Sequence, residues 1–347
     1  MALLHAAAAA RQEGTDFPQV EALTVDHGLR AESASEATFV CERCVRLGIP
    51  HRTVRLDAQP PSRGIQQWAR DQRLRVFREA GRTRTGTLVL TAHQANDADE
   101  TNLMRSLRKG NVTSPRAVGI APYAWFYGTW LYRPLLRFDR ETLRAFLYDR
   151  GADWIEDPSN EDASFERVRA RTVLAVGADR ASLPSSDDAG TARQAAARAA
   201  TPFLRDHVGV RRNEGGDAVA FVISAPANEL ASDPTRILCV RALCGHLGAH
   251  DHLPSAAKIA RMLVAIAEHG GARGVARCLL RTQGARLLIE PERRGDRPGG
   301  AKPTTHPWPQ LVPAHDLSLA NTLFALLGAD PIPAPPVPSS ACASGRT

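Results

Sequence analysis

Two hydrophobic periods alternate along the first 110 residues. Residues 2–12, rich in Ala and Leu, read as a helix that ends around Gly14. VEALTVDHG (20–28) is a short β-rich apolar run that stops at Asp26, His27 and Gly28. Residues 32–47 return to a helical pattern, with Gly48 as the C-terminal stop. HRTVRLD (51–57) is the next strand and IQQWARDQRLRVFREAG (65–81) an Arg-rich amphipathic helix. TLVLTAH (87–93) is a second buried-strand run, and DADETNLMRSLRKG (97–110) a helix closed by Gly110. This alternation predicts parallel βαβ units and an α/β fold with a doubly wound, mainly parallel sheet. Such sheets bind ligands beyond the carboxyl ends of their strands. Both strand runs end there in polar clusters, Asp26-His27 and His93 through Asp97.

Beyond a Trp/Tyr-rich stretch (123–132), RPLLRFDRETLRAFLYDRG reads as a loop and a capped helix, followed by WIEDPSNEDASFERVRARTVL. Residues 1–180 are thus expected to form the first domain, with a Ser/Asp/Gly/Ala linker over 181–200. Residues 201–292 mix helical patterns (235–248, 255–269) with strand-like segments (219–224, 276–281, 285–290), which predicts a second, smaller α+β domain. The Pro-rich remainder, 293–347, is expected to be poorly ordered. No internal repeat is present.

Composition narrows the function classes. At 347 residues and 43% hydrophobic, the chain can bury cores for two domains. Its formal charge of +7 is carried almost wholly by arginine, since Lys109, Lys258 and Lys302 are the only lysines. Arginine's planar fork suits phosphate and base recognition, although net charge speaks to association and not to fold. The six cysteines are scattered, which argues against a disulfide framework and for a reducing, cytoplasmic compartment. Cys41 and Cys44 read C-x-x-C but lie in an amphipathic helix with no second pair at metal spacing, so both are expected in the core. No apolar run approaches the roughly 20 residues that span a bilayer. MALLHAAAAARQEG lacks the basic start of a secretory signal and reads better as a helix.

Three constellations could carry chemistry. In TAHQANDADET, His93 ends a strand, and Asp97, Glu100 and Thr101 share one face at the start of the next helix. Carboxylates in that position can hold Mg²⁺ together with phosphates, or simply match the helix dipole. In TVDHGLRAES, Asp26 and Gly28 at a strand end suit a nucleotide as well as an ordinary strand-turn-helix connection. In EDPSNEDASFERVRAR, Arg167, Arg169 and Arg171 alternate, with Arg133 and Arg137 upstream. Such arginines clamp phosphate or RNA backbone, or form a solvated helix face.

Taken in order, VDHGLR, LGIPH, the IQQWARDQR helix, TAHxxxDxxET, RPLL and EDPSNxDxxFxRxRxR resemble the motif set of the tRNA(Ile)-lysidine synthetases, which are N-type ATP pyrophosphatases. The resemblance covers nearly all of residues 1–175, and RCLLRTQGARLLIEPE is weakly similar to a later domain of short members. It implies ATP and Mg²⁺ as cofactors. It also implies adenylation at C2 of the wobble cytidine of a CAU-anticodon tRNA(Ile), with free L-lysine then displacing AMP. By motif, Asp26, His27, Thr101 and Arg133 would bind the nucleotide. His93, Asp97 and Glu100 would form the reaction centre, Asp97 would hold the metal, and Arg167 and Arg171 would approach the RNA. The second domain would be a tRNA-binding accessory, and a homodimer is in keeping with the family.

The sequence departs from the family pattern in three places. The Ser-Gly-Gly-x-Asp-Ser phosphate loop precedes a helix of the MALLH kind in relatives, whereas Met1 opens that helix in this sequence. Either an upstream start supplies the loop, or the chain is a remnant that binds tRNA without catalysis. The usual adjacent acids read Asn96-Asp97, and the stretch after the ET helix, LRKGNVTSPRAVG, is poor in glycine. A related enzyme of the thiolation type would instead need a pair of reactive cysteines beside the ATP site.

Overall fold

A computed structural model describes residues 1–14, 18–29, 32–57, 59–82, 87–109, 120–126, 128–156, 166–175, 186–248, 253–292 and 312–335. The chain divides into two compact units, residues 1–122 with 128–186, and residues 123–127 with 187–347.

In the first unit the expected alternation appears as α1 (Ala2–Glu13), β1 (Ala22–Asp26), α2 (Ser33–Arg46), β2 (His51–Arg55), α3 (Ile65–Arg82), β3 (Leu88–Leu90) and α4 (Ala95–Lys109). Strand β1 runs parallel to β2, with Ala22 opposite His51 and Asp26 opposite Arg55. Strand β3 runs parallel to β5 (Thr129–Tyr132), with Leu88 opposite Trp130 and Leu90 opposite Tyr132. Beyond β5 a 3-10 turn (Pro134–Arg137) leads into α5 (Arg140–Tyr148), and α6 (Glu166–Ala175) closes the unit. Helix α2 stops where the sequence places its glycine. Gly48 has φ +64, and the Ile49 N–H returns to the Cys44 carbonyl.

Two small cores position the site. Ala2 of α1, Leu135 of the 3-10 turn and Leu147 of α5 pack together with Leu3 and Phe146. Leu103 of α4 meets Ala170 and Leu174 of α6, which fixes the two helices that carry the charged residues described below. Helix α3 lies against β3 and β5. The approach is close at its last turn, where a β-carbon on Gly81 would fall 2.2 Å from Thr129 Oγ1 and 2.8 Å from its Cβ.

The second unit is α+β. Its antiparallel sheet has the order β6-β7-β10-β9-β8, built from Val208–Arg212, Ala218–Ile223, Arg286–Pro291, Cys278–Gln283 and Ala272–Val275. The helices of this unit are α7 (Ser186–His207), α8 (Ala227–Ser232), α9 (Pro234–Leu247), α10 (Ala256–His269) and α11 (Leu317–Leu327), and β4 (Tyr123–Phe126) pairs antiparallel with β11 (Val312–Pro313). Leu204, Phe221, Ile223, Leu230, Leu243, Ile259, Leu263, Leu280 and Leu287 are fully buried in its core.

Three sequence expectations are corrected. Most of the expected 181–200 linker is the start of α7, because ARQAAARAA, although it follows a Ser/Asp/Gly stretch, is made of strong helix formers. The supposedly unordered end contains α11, whose Leu319, Ala320, Leu323 and Phe324 are buried. Of the C-x-x-C pair, Cys44 is buried but Cys41 is exposed, since a three-residue step on a helix turns far enough to leave a narrow apolar stripe. Residues 293–311 and 336–347 lie outside the described residues, as does the glycine-poor stretch beyond Lys109 up to residue 119. Among the described residues no helix is long and apolar enough to cross a membrane.

Gly81→Ala tests the α3–β5 contact. In an open helix the change stabilises by about 1 kcal/mol. At this position the clash includes the Thr129 β-carbon, which no rotamer moves, so a net loss of about 1–3 kcal/mol and a lower Tm are expected. A raised Tm would show that α3 does not seat on β5 in this way.

Candidate functional site

The site is built on the carboxyl ends of β3 and β5. Because the two strands are parallel neighbours, their continuations emerge side by side: the Thr91 N–H donates to the Tyr132 carbonyl (2.9 Å), His93 follows β3 and Arg133 follows β5. Thr91 Oγ1 lies 3.0 Å from His93 Nδ1 and orients the ring. Arg133 is 5% exposed. One terminal nitrogen donates to the Ala121 carbonyl at 2.7 Å, while its buried Nε has no partner.

Helix α4 brings the acids, and the structure separates their roles. Asp97 reaches back to accept from the Gln94 N–H (2.9 Å), which is half of a capping box. Among the described residues its other oxygen has only a long contact, 3.7 Å, with Arg167. Thr101 donates its hydroxyl to the Asp97 carbonyl one turn back (2.7 Å). Glu100 is 1% exposed and fully engaged: Arg167 Nε donates to one oxygen at 2.9 Å and Arg171 Nε to the other at 2.8 Å. The two arginines expected to approach RNA are therefore the clamp that ties α6 to α4. Asn96, where the resemblance leads one to expect an acid, accepts from the Arg140 N–H (2.9 Å) and supports the start of α5. The rest of the EDPSN segment, from residue 157 to 165, lies outside the described residues.

Two residues that the sequence reading passed over complete the cluster. Arg70 and Arg73, one turn apart on α3, are both exposed. Each is nevertheless held below the usual arginine value, Arg70 by desolvation and then by Arg167, Arg73 by desolvation and then by Arg70 and Arg167. Solvent contact combined with dense surroundings is the condition of a group in an open cleft. Arg133 is pushed down to about 10 by burial and by Arg70. His93 falls to about 3, through burial first and then Arg133, Arg167, Arg70 and Arg73. Among the described residues Arg70, Arg73 and Arg133 make no ion pair; Asp71 offsets only part of the effect on Arg70. The i, i+3 spacing of Arg70 and Arg73 was visible in the sequence, but a solvated helix face has the same spacing.

The β1 end carries the other predicted pair. Asp26 is 8% exposed and accepts from the Gly28 N–H at 2.9 Å, closing a turn that Gly28 permits with φ +62. The His27 ring is tilted against Trp68 of α3 at 6.2 Å, and its Nδ1 is buried without a partner. Desolvation first, then Arg73, lowers the His27 pKa. Arg73 thus acts on both His27 and His93, and links the two strand ends through α3.

Chemically, the arrangement offers concentrated positive charge, one carboxylate with a loosely held oxygen and a neutral imidazole. It suits a polyanion better than a lone cation. Among the described residues no group of three or more His, Cys, Asp or Glu could hold a metal. Cys44, whose thiol is raised by burial, has the opposite of the thiolate character that thiolation would need.

The class of protein follows from the first unit. Residues 1–176 match the family model of the PP-loop domain, an ATP-binding fold. The synthase from Mesorhizobium japonicum, named tRNA(Ile)-lysidine synthase, is 33% identical over 317 residues, covering 89% of this chain and 68% of its own length. Proteins of the same name from Rhizobium meliloti and Ruegeria pomeroyi are each 35% identical, over 75% and 76% of this chain and 57% and 62% of their own. The chain belongs to the tRNA(Ile)-lysidine synthase family. It spans 57% to 68% of the length of these relatives. Among solved structures, a U34-tRNA thiolase, NcsA from Methanococcus maripaludis with its 4Fe-4S cluster, overlaps 50% of this chain and 60% of its own at 13% identity and a TM-score of 0.38.

Three measurements check the electrostatics. The His93 imidazole is expected to stay neutral through the physiological range and to reach half-protonation only near pH 3, read by nitrogen-detected NMR; a midpoint near the free value of about 6.5 would remove the cation crowding. A histidine whose folded value lies below its free value binds protons more readily when unfolded. His93 therefore lowers stability as the pH falls from its free value toward its folded one, and His93→Gln should flatten that acid loss. Glu100→Gln leaves two guanidinium groups without their shared counter-charge. It is expected to cost roughly 2–3 kcal/mol by denaturant titration, below the fully buried range because both arginines keep some solvent contact.

Proposed function

We propose that the chain carries out the reaction of its relatives' name, ATP-dependent joining of L-lysine to C2 of the wobble cytidine of tRNA(Ile). The single observation that carries the reading is the gathering of Arg133, His93 and Asp97 at adjacent strand ends, inside a domain of the PP-loop family. In this reading Asp26 and His27 line the nucleotide pocket, where His27 Nδ1 still lacks a partner. Arg133 and its cationic neighbours draw phosphate charge toward the β3 end. Such charge favours the departure of pyrophosphate when the cytidine is activated, and then of AMP when the lysine amine adds at C2.

His93, held neutral by its surroundings, can make hydrogen bonds to a substrate without adding another positive charge. Thr101 and Glu100 act through the helix that holds Asp97. Mg²⁺ fits on one condition. Asp97 keeps one oxygen with only a 3.7 Å contact, whereas Glu100 has none to spare, so the ion would be held by Asp97 together with substrate phosphates. Bound in that way it would neutralise phosphate charge.

The test is AMP release by the full gene product with tRNA(Ile), lysine and ATP, omitting each in turn. Release is expected to need all three. Asp97→Asn is expected to lower turnover by at least about a hundredfold, of the order seen when a charge-stabilising group is removed. AMP release that proceeds equally without lysine or without tRNA would overturn the assignment.

A further inference from the structure

We infer that Thr91 is a positioning residue for His93: its hydroxyl accepts from Nδ1–H, fixes one neutral tautomer, and leaves Nε2 as a hydrogen-bond acceptor for a substrate N–H. The consequence for turnover rests on the ligase reading, whereas the tautomer does not.

The geometry begins with the backbone. Thr91 is the first residue beyond β3, and its N–H donates to the Tyr132 carbonyl at 2.9 Å, which holds it against the end of β5. Its branched side chain is stiff at the first torsion. A hydroxyl on an anchored backbone is therefore a fixed post. Two residues further on, the His93 ring meets that post, with Oγ1 3.0 Å from Nδ1. Among the described residues neither side chain has a second hydrogen-bond partner.

Which way the proton lies follows from the other nitrogen. A neutral imidazole has one N–H and one lone pair, whereas a hydroxyl can donate or accept. The contact with Thr91 alone permits either tautomer. With Nδ1 engaged, the free nitrogen is Nε2. Burial keeps the ring neutral, and the charges of Arg133, Arg167, Arg70 and Arg73 then favour a lone pair over an N–H on the free side. The N–H is left at Nδ1, and the Thr91 oxygen accepts it. The partner of one ring nitrogen sets what the other can offer a ligand.

The alternative is that Thr91 only satisfies a half-buried nitrogen, a task that water performs as well. Two variants of the full gene product separate the readings. Thr91→Val keeps the branched shape and removes the hydroxyl, and Thr91→Ser keeps the hydroxyl. Nitrogen-detected NMR at neutral pH, without substrates, reads the two ring nitrogens of His93. The parent and Thr91→Ser are expected to show a protonated Nδ1 and an unprotonated Nε2, and Thr91→Val a mixture of both tautomers. In AMP release, Thr91→Val is expected to lose about tenfold in kcat, the equivalent of one oriented hydrogen bond. Its KM for ATP should change little, and Thr91→Ser should recover most of the rate.

An unprotonated Nδ1 in the parent would overturn the inference, as would a Thr91→Val variant that keeps the parent's single tautomer. An unchanged kcat in Thr91→Val once the tautomer is mixed would also overturn it, since the ring's orientation would then not matter. If the tautomers behave as expected while AMP release needs neither lysine nor tRNA, the ligase reading fails and the hold of Thr91 on His93 stands.

Discussion

A carboxylate with almost no exposure must carry its counter-charge with it, and in this fold that carboxylate is Glu100. Arg167 and Arg171 supply the charge from α6. The contact of Leu103 with Ala170 and Leu174 supplies the apolar half of the same interface. This pairing brings Arg167 within reach of Asp97 and adds its charge to those around His93. A clamp of this kind contributes little net stability compared with an apolar isostere, yet it is costly to break. Its value lies in fixing where one positive charge stands.

That position matters because the rest of the site is short of negative charge. Asp97 lends one oxygen to the Gln94 N–H, and Asp26 lends one to the Gly28 N–H. Both acids have partly been turned to holding backbone. Burial, and after it the charges of the cations on α3 and after β5, holds the His93 imidazole neutral. At these strand ends the arginines outnumber the acids, and that excess sets the sign of the potential.

The sequence showed much of the scaffold and little of this accounting. Alternating periods located α1 to α4 and β1 to β3, because each element buries one face and ends in a turn residue. The strand ends followed, and with them His93, Asp97 and Asp26. Helix α7 was obscured by composition, since Ser, Asp and Gly at its start read as linker. Strands β6 and β8 are Arg- and Gly-bearing edge strands with weak alternation. The partners of individual arginines were not legible at all. Arg167 and Arg171 lie in a motif that reads as RNA-facing but bind an acid 67 and 71 residues away, whereas Arg70 and Arg73 look like surface yet act electrostatically on His93. Spacing fixes which residues share a face, but it does not say what the face meets.

The same accounting bears on Asn96. An acid at this position would stand beside Asp97 and bring a second carboxylate toward the strand end. The asparagine instead gives its oxygen to the Arg140 N–H as a neutral acceptor, so α5 is supported without adding charge. One carboxylate remains available among several guanidinium groups. A free divalent cation approaching such a site meets net repulsion, while the same ion already carrying phosphates arrives as part of an anion and is drawn in. Such a site favours a phosphate-bound ion over a bare one, a preference that a second acid at this position would weaken.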